Sequence, residues 1–295
     1  MGSMVGPAQY EDGFWWSKDG LRLHYRDYPG RDYPGRDDRP PILCIPGLTR
    51  NARDFAHVAD RLAGDWRLIC VDLRGRGESA YAKFPMSYAP ITYLQDIEDL
   101  LETLKIDRFV AFGTSLGGLL TMLLASAKPG RIAGALLNDI GPVIEEEGLA
   151  RIRGFVGKSG SWPSWMHAAR AASNLHGHAH PDYDLPQWIA LAKRIYRLTA
   201  QGRIIPDYDP RISEPIRRPS EPVDLWPAFD ALGNVPVSIL RGATSDILSA
   251  ETAAAMAERL PNASLSLIPR TGHPPELDEP AAIKAIDGLL ELITR

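Results

Sequence analysis

Cysteine is scarce in this sequence. Cys44 and Cys70 are the only two in 295 residues, too few for a disulfide framework. Both lie in apolar runs, Ile42-Leu-Cys-Ile45 and Leu68-Ile-Cys-Val-Asp-Leu73, and read as buried thiols. Long hydrophobic runs are missing too. The longest, Leu116 to Ala127, is too short and too Gly-rich to span a bilayer, and no secretory apolar segment opens the chain. The expectation is a protein without membrane association, in a reducing cytoplasm. The opening Met1-Gly-Ser-Met4 reads as an expression remnant and carries no weight in the fold. Charge of one sign is also lacking: the net charge is −4 with acidic and basic residues interleaved. Without a basic stripe to neutralise phosphates, a nucleic-acid partner is not expected. What the chain does have is apolar mass, 44% of residues, ample for a packed core.

The amino-terminal part reads as an antiparallel hairpin. Phe14 to Trp16 and Leu21 to Tyr28 flank a Lys-Asp-Gly turn, and Leu21, Leu23 and Tyr25 alternate with Arg22, His24 and Arg26. The pentapeptide Arg-Asp-Tyr-Pro-Gly then occurs twice, at 26–30 and 31–35. That period is too short for a solenoid unit and reads as a lengthened surface turn.

From Pro41 the rhythm changes. Short, fully apolar runs (ILCI, RLICVDL, RFVAFG, IAGALLN) alternate with helical periods near Arg53 to Ala63, Ile91 to Leu104 and after Ser115. Strands apolar on both faces that alternate with helices predict a mostly parallel sheet of about eight strands, helices covering both faces, the α/β class. Between 141 and 226 the rhythm breaks. This stretch holds four of the seven tryptophans, has helical pieces such as Pro186 to Thr199, and shows no buried strand. It reads as an inserted helical cap, which leaves 14–140 and 227–295 as the core. VPVSILRG, a helix over Ala250 to Leu260, ASLSLIP and a helix over Pro280 to Ile293 complete that core.

Gly113-Thr-Ser115-Leu-Gly117 matches G-x-S-x-G. It follows an apolar strand and opens an apolar helix, as a nucleophile elbow requires. Glycines leave room at so tight a turn, and the helix N-terminus favours developing negative charge near Ser115. A serine needs a base. Of seven histidines only His273, in Thr-Gly-His-Pro-Pro, sits in a loop directly after a late strand, where such sheets place catalytic groups. The base needs an orienting acid. Asp246 follows the strand VSILRG and gives the order Ser, Asp, His, so it is favoured. Asp139, in Leu-Leu-Asn-Asp-Ile-Gly-Pro, also follows a strand and could reach the same histidine. Two N–H donors should bind an oxyanion: Leu116, after the nucleophile, and Leu48, in the Pro46-Gly-Leu-Thr turn.

Taken together, Pro46-Gly-Leu48, Asp72-Leu-Arg-Gly-Arg-Gly-Glu-Ser79, Gly113 to Gly117, Arg241 to Asp246 and Gly272-His-Pro274 resemble the α/β-hydrolase superfamily over about residues 14 to 295. Within it the chain is similar to the capped, cofactor-free carboxylesterase and C–C hydrolase-like branch. The first landmark often reads His-Gly there, whereas Pro46 stands here, so any polar role of that histidine is absent. The loop from Asp72 to Ser79 looks structural.

The expected activity is hydrolysis of a small or medium-sized carboxylic ester through an acyl-enzyme. Alternatives are cleavage of a C–C bond or an enol-lactone by the same triad, or a non-catalytic ligand-binding protein of this fold. Trp162, Trp165, Trp188 and Tyr208, with Tyr196, could line the substrate pocket or hold the cap together. His176-Gly-His-Ala-His180 invites a metal reading, but without a strand pattern it reads as a solvated loop. Neither metal nor cofactor is expected, and the partner is a small-molecule ester or related carbonyl compound.

Overall fold

A computed structural model describes residues 7–30, 39–218 and 223–294. The second pentapeptide copy, 31–35, and the opening four residues lie outside these. The hairpin comprises β1 (Glu11–Trp16) and β2 (Arg22–Tyr28), paired antiparallel. Next come β3 (Ile42–Ile45), α1 (Ala56–Leu62), β4 (Leu68–Asp72), α2 (Pro90–Thr103) and β5 (Phe109–Thr114). They are followed by α3 (Leu116–Ala127) and β6 (Ile132–Asn138). The segment after β6 holds α4 (Glu146–Phe155), α5 (Trp165–His176), α6 (Leu185–Ile195), β7 (Tyr196–Leu198), β8 (Ile204–Pro206) and α7 (Ser213–Ile216). The chain closes with α8 (Trp226–Asp230), β9 (Val237–Gly242), α9 (Ala250–Arg259), β10 (Ala263–Ile268) and α10 (Pro280–Ile293).

Eight strands form one sheet in the order β1-β2-β4-β3-β5-β6-β9-β10. From β4 to β10 every pairing is parallel; only the hairpin edge is antiparallel. The apolar strands explain this directly, because alternate side chains feed two cores. Leu43, Ile45, Ile69, Val71, Phe109 and Ala111 enter one core, which α2, α3, α8 and α9 cover. Ile42, Cys44, Leu68, Cys70, Val110 and Phe112 enter the other, against α1 and α10. Both thiols are buried and free, and burial pushes the Cys44 thiol up. His24, expected on a polar strand face, is instead buried, with Nδ1 2.7 Å from Asp72 Oδ2.

The segment between β6 and β9 has a third small core, built from Ala168, Ala169, Ala172, Trp188, Leu191, Ile195 and Ile204. It is not wholly helical, in contrast to expectation. The run predicted as a helix to Thr199 leaves helical geometry at Tyr196 (φ −119°, ψ 163°), and β7 pairs antiparallel with β8. Three-residue strands are too short to show a period in sequence, and no Gly or Pro marks the helix end. No helix among the described residues is long and apolar enough to cross a membrane.

Candidate active site

Ser115 stands between β5 and α3 with φ 51° and ψ −114°, a conformation that costs a non-glycine residue roughly 1–3 kcal/mol. The glycines on either side make the turn possible. A Cβ on Gly117 would lie 1.9 Å from the Ile45 carbonyl oxygen, and one on Gly113 would lie 2.5 Å from the Gly117 backbone. The turn is held by Ser115 N–H donating to Asn138 O at 3.0 Å. Leu116 opens α3, so its N–H lacks a partner within the helix.

His273 brings Nε2 to 2.9 Å from Ser115 Oγ. Its Nδ1 lies 2.7 Å from Asp139 Oδ2, not from Asp246. This corrects the sequence expectation. Asp246 is engaged by Arg151 of α4 in a bidentate pair, at 2.5 and 2.8 Å. Burial raises the Asp246 carboxyl, but Arg151 outweighs this and holds it below its ordinary value. Asp139 is fully buried at the end of β6 with φ 57°. Gly242 N–H donates to its Oδ1 at 2.8 Å and Ser245 Oγ–H to its Oδ2 at 2.6 Å. A carboxylate only accepts, so Nδ1 of His273 carries the ring proton. Nε2 is left with its lone pair toward the Ser115 hydroxyl.

The Leu48 peptide is also oriented. Gly47 O accepts from Arg50 N–H at 3.1 Å, which turns the Leu48 N–H of the same trans peptide the opposite way. Leu48 O accepts from the buried Arg76 Nε at 2.8 Å. The Asp72–Ser79 loop thus serves the site indirectly. Asp72 Oδ1 also accepts from Ala52 N–H at 2.7 Å, and Ser79 Oγ–H donates to Asp72 O at 2.6 Å.

Two adjoining cavities open here. The inner one, about 50 Å³, is bordered by Leu48, Ser115, His273, Arg151 and Ile152. The outer one, about 180 Å³, is bordered by Trp162, Tyr196, Tyr208, Ile195 and Lys158. Thr49, Arg50, Phe155 and His176 border both. Of the aromatics considered in sequence, Trp162, Tyr196 and Tyr208 reach the cavity. Trp165 and Trp188 do not: both pack in the third core, where the Trp188 indole N–H donates to Tyr183 O at 3.1 Å.

The stretch from His176 to His180 is a solvated loop only at His178, which is exposed. His176 ends α5 at the cavity, His180 is buried, and Ala179 O accepts from Gly272 N–H at 2.8 Å, beside His273. Burial and the nearby Arg50 charge hold the His176 imidazole down at about 3. Arg50, Arg151, Phe155 and His176 border the cavities although no sequence pattern marks them for it. Ser245, whose hydroxyl holds Asp139, sits in the same Arg241 to Asp246 stretch as the expected acid.

A serine at a strand-to-helix turn, hydrogen-bonded to a histidine that is backed by a buried aspartate, defines the serine-hydrolase arrangement on a doubly covered sheet. The chain belongs to the Alpha/beta hydrolase family, whose sequence pattern matches residues 42–286. It is similar to an alpha/beta hydrolase from Novosphingobium aromaticivorans of known crystal structure. That likeness has 58% identity and a TM-score of 0.92, covering 97% of this chain and 99% of that one. It is 32% identical to the 3-hydroxybutyrate-oligomer hydrolase of Cupriavidus necator, over 82% of this chain and 85% of that protein. An esterase of Mycobacterium tuberculosis is 25% identical over 85% of this chain and 83% of its own length.

Proposed function

We propose that this hydrolase cleaves small or medium-sized carboxylic esters through an acyl-enzyme. The observation that carries the reading is the unbroken line from Ser115 Oγ to His273 Nε2 at 2.9 Å and from Nδ1 to Asp139 at 2.7 Å. Ser115 Oγ attacks the ester carbonyl while its proton passes to Nε2. Asp139 keeps the opposite nitrogen protonated and stabilises the imidazolium that forms. The N–H groups of Leu48 and Leu116 receive the oxyanion. The tetrahedral centre collapses, the imidazolium gives its proton to the departing alkoxide, and the acyl group stays on Ser115. Water, deprotonated by His273, then releases the acid.

In this proposal residues 141–226 form a cap over the site. The outer cavity holds the part of the substrate remote from the reacting carbonyl. The likeness to a 3-hydroxybutyrate-oligomer hydrolase supports a short aliphatic ester as substrate.

Ser115→Ala, checked for intact folding by circular dichroism, should lose at least about 10⁴-fold in kcat/KM on 4-nitrophenyl butyrate. Turnover near the wild-type level in that variant would overturn the reading.

A further inference from the structure

The two cavities are bordered by no carboxylate among the described residues; three cations border them instead. Arg151 is matched by Asp246. Arg50 is matched by Asp54 through Nε at 2.5 Å and by Glu276 through Nη2 at 3.1 and 3.2 Å. Its Nη1 makes no hydrogen bond among the described residues, although the side chain is nine-tenths buried and borders both cavities.

Lys158 is different again. It borders the outer cavity and has no ion-pair partner among the described residues. Its position is set by a tight turn: Gly157 has φ 83°, and Lys158 N–H donates to Phe155 O at 3.1 Å. The turn is seated against the chain below, since a Cβ on Gly157 would come within 2.3 Å of Ser213 Oγ. The remaining wall is largely apolar or aromatic, through Phe155, Trp162 and Tyr208, with Thr49, Ser159 and His176 as its polar members. Lys158 is exposed, so its charge acts at the mouth of the cavity and is open to screening by salt.

We propose that the outer cavity selects esters whose acyl chain ends in a carboxylate, held by Lys158 at the rim and by Arg50 Nη1 deeper in, while the ester carbonyl lies at Ser115. This rests on the esterase reading above and narrows its substrate class. The fit has a plain physical basis. The apolar wall accepts the methylene segment, the uncompensated ammonium supplies net positive charge, and the guanidinium supplies directional N–H donors. A chain ending in a methyl group would leave both cations without a counter-ion. A chain ending in an ammonium would be repelled.

The test compares 4-nitrophenyl hydrogen adipate with its methyl-capped neutral diester, in wild type, Lys158→Met and Lys158→Arg. The readout is the ratio of kcat/KM for the anionic ester to that for the neutral one, so a general loss of activity cancels. The wild type should favour the anionic ester. Lys158→Met should lower the ratio about tenfold, mainly through KM, and Lys158→Arg should restore most of it. Raising salt from about 0.05 M to about 0.5 M should lower the wild-type ratio and leave that of Lys158→Met nearly flat.

A wild type that turns over the neutral ester with no anionic preference would overturn this proposal and leave the esterase reading standing. A ratio unchanged in Lys158→Met would overturn it too. If the wild type turned over neither ester, the esterase reading would fall with it.

Discussion

The loop after β6 and the loop after β9 each present an aspartate near His273, and only one of them reaches the ring. Asp139, after β6, is fully buried and ringed by donors: Gly242 N–H, Ser245 Oγ–H and the imidazole Nδ1–H. Asp246, after β9, is part-exposed and claimed by Arg151 of α4. The β9 loop therefore supplies hydrogen-bond donors to the carboxylate that meets the ring, not that carboxylate itself. The difference teaches that strand order decides which loops approach a histidine. Which carboxylate is free to face it depends on what other charges lie near.

The largest effect that sharpens this comparison is expected at Asp139. In Asp139→Asn the amide can keep Gly242 N–H on its oxygen, which turns its NH2 toward the ring. Nδ1 must then accept, the proton moves to Nε2, and His273 can no longer take the proton of Ser115. A fall in kcat of about 10³- to 10⁴-fold should follow, measured on 4-nitrophenyl butyrate. A loss below about tenfold would break the comparison.

A smaller effect is expected at Asp246. Asp246→Asn should lower kcat by less than about tenfold, because the ring keeps its partner. Its main signature should be in stability. The Asp246 carboxyl is held below its ordinary value despite the opposing effect of burial. Its pairing therefore adds stability above the unfolded-state value of about 3.9 and loses that contribution as pH falls through the lower folded value. The melting temperature of Asp246→Asn should lie a few degrees at most below wild type at pH 7, because part of the pair is solvent-screened. The gap should narrow as pH falls below about 4. A gap that widens there would contradict the assigned pairing.

Much of the scaffold was readable from the chain. Strands apolar at every position announce a parallel sheet with two covered faces, and the alternation of Leu43 and Ile45 against Ile42 and Cys44 fulfils it. The elbow was readable because Gly113 and Gly117 meet a backbone that tolerates no side chain. The choice of acid was not, because it turns on Arg151, which lies 95 residues before Asp246. No local pattern links the two. The wall of the cavity was half readable. Aromatic residues between β6 and β9 announce burial, but not whether the buried face meets a cavity, as with Trp162, or a small local core, as with Trp188. The histidines from 176 to 180 misled for a related reason. A Gly- and Pro-flanked stretch looks solvated until Ala179 is seen accepting a hydrogen bond from Gly272, next to the base.

The proposed chemistry turns on Ser115 as an activated nucleophile, and a fluorophosphonate probe tests that most directly. Intact-mass and peptide mass spectrometry should find one phosphonyl adduct on the wild type, located on Ser115 and absent from Ser115→Ala, with Asp139→Asn labelled far more slowly than Asp246→Asn. A wild type that stays unlabelled, or an adduct on another residue, would contradict it.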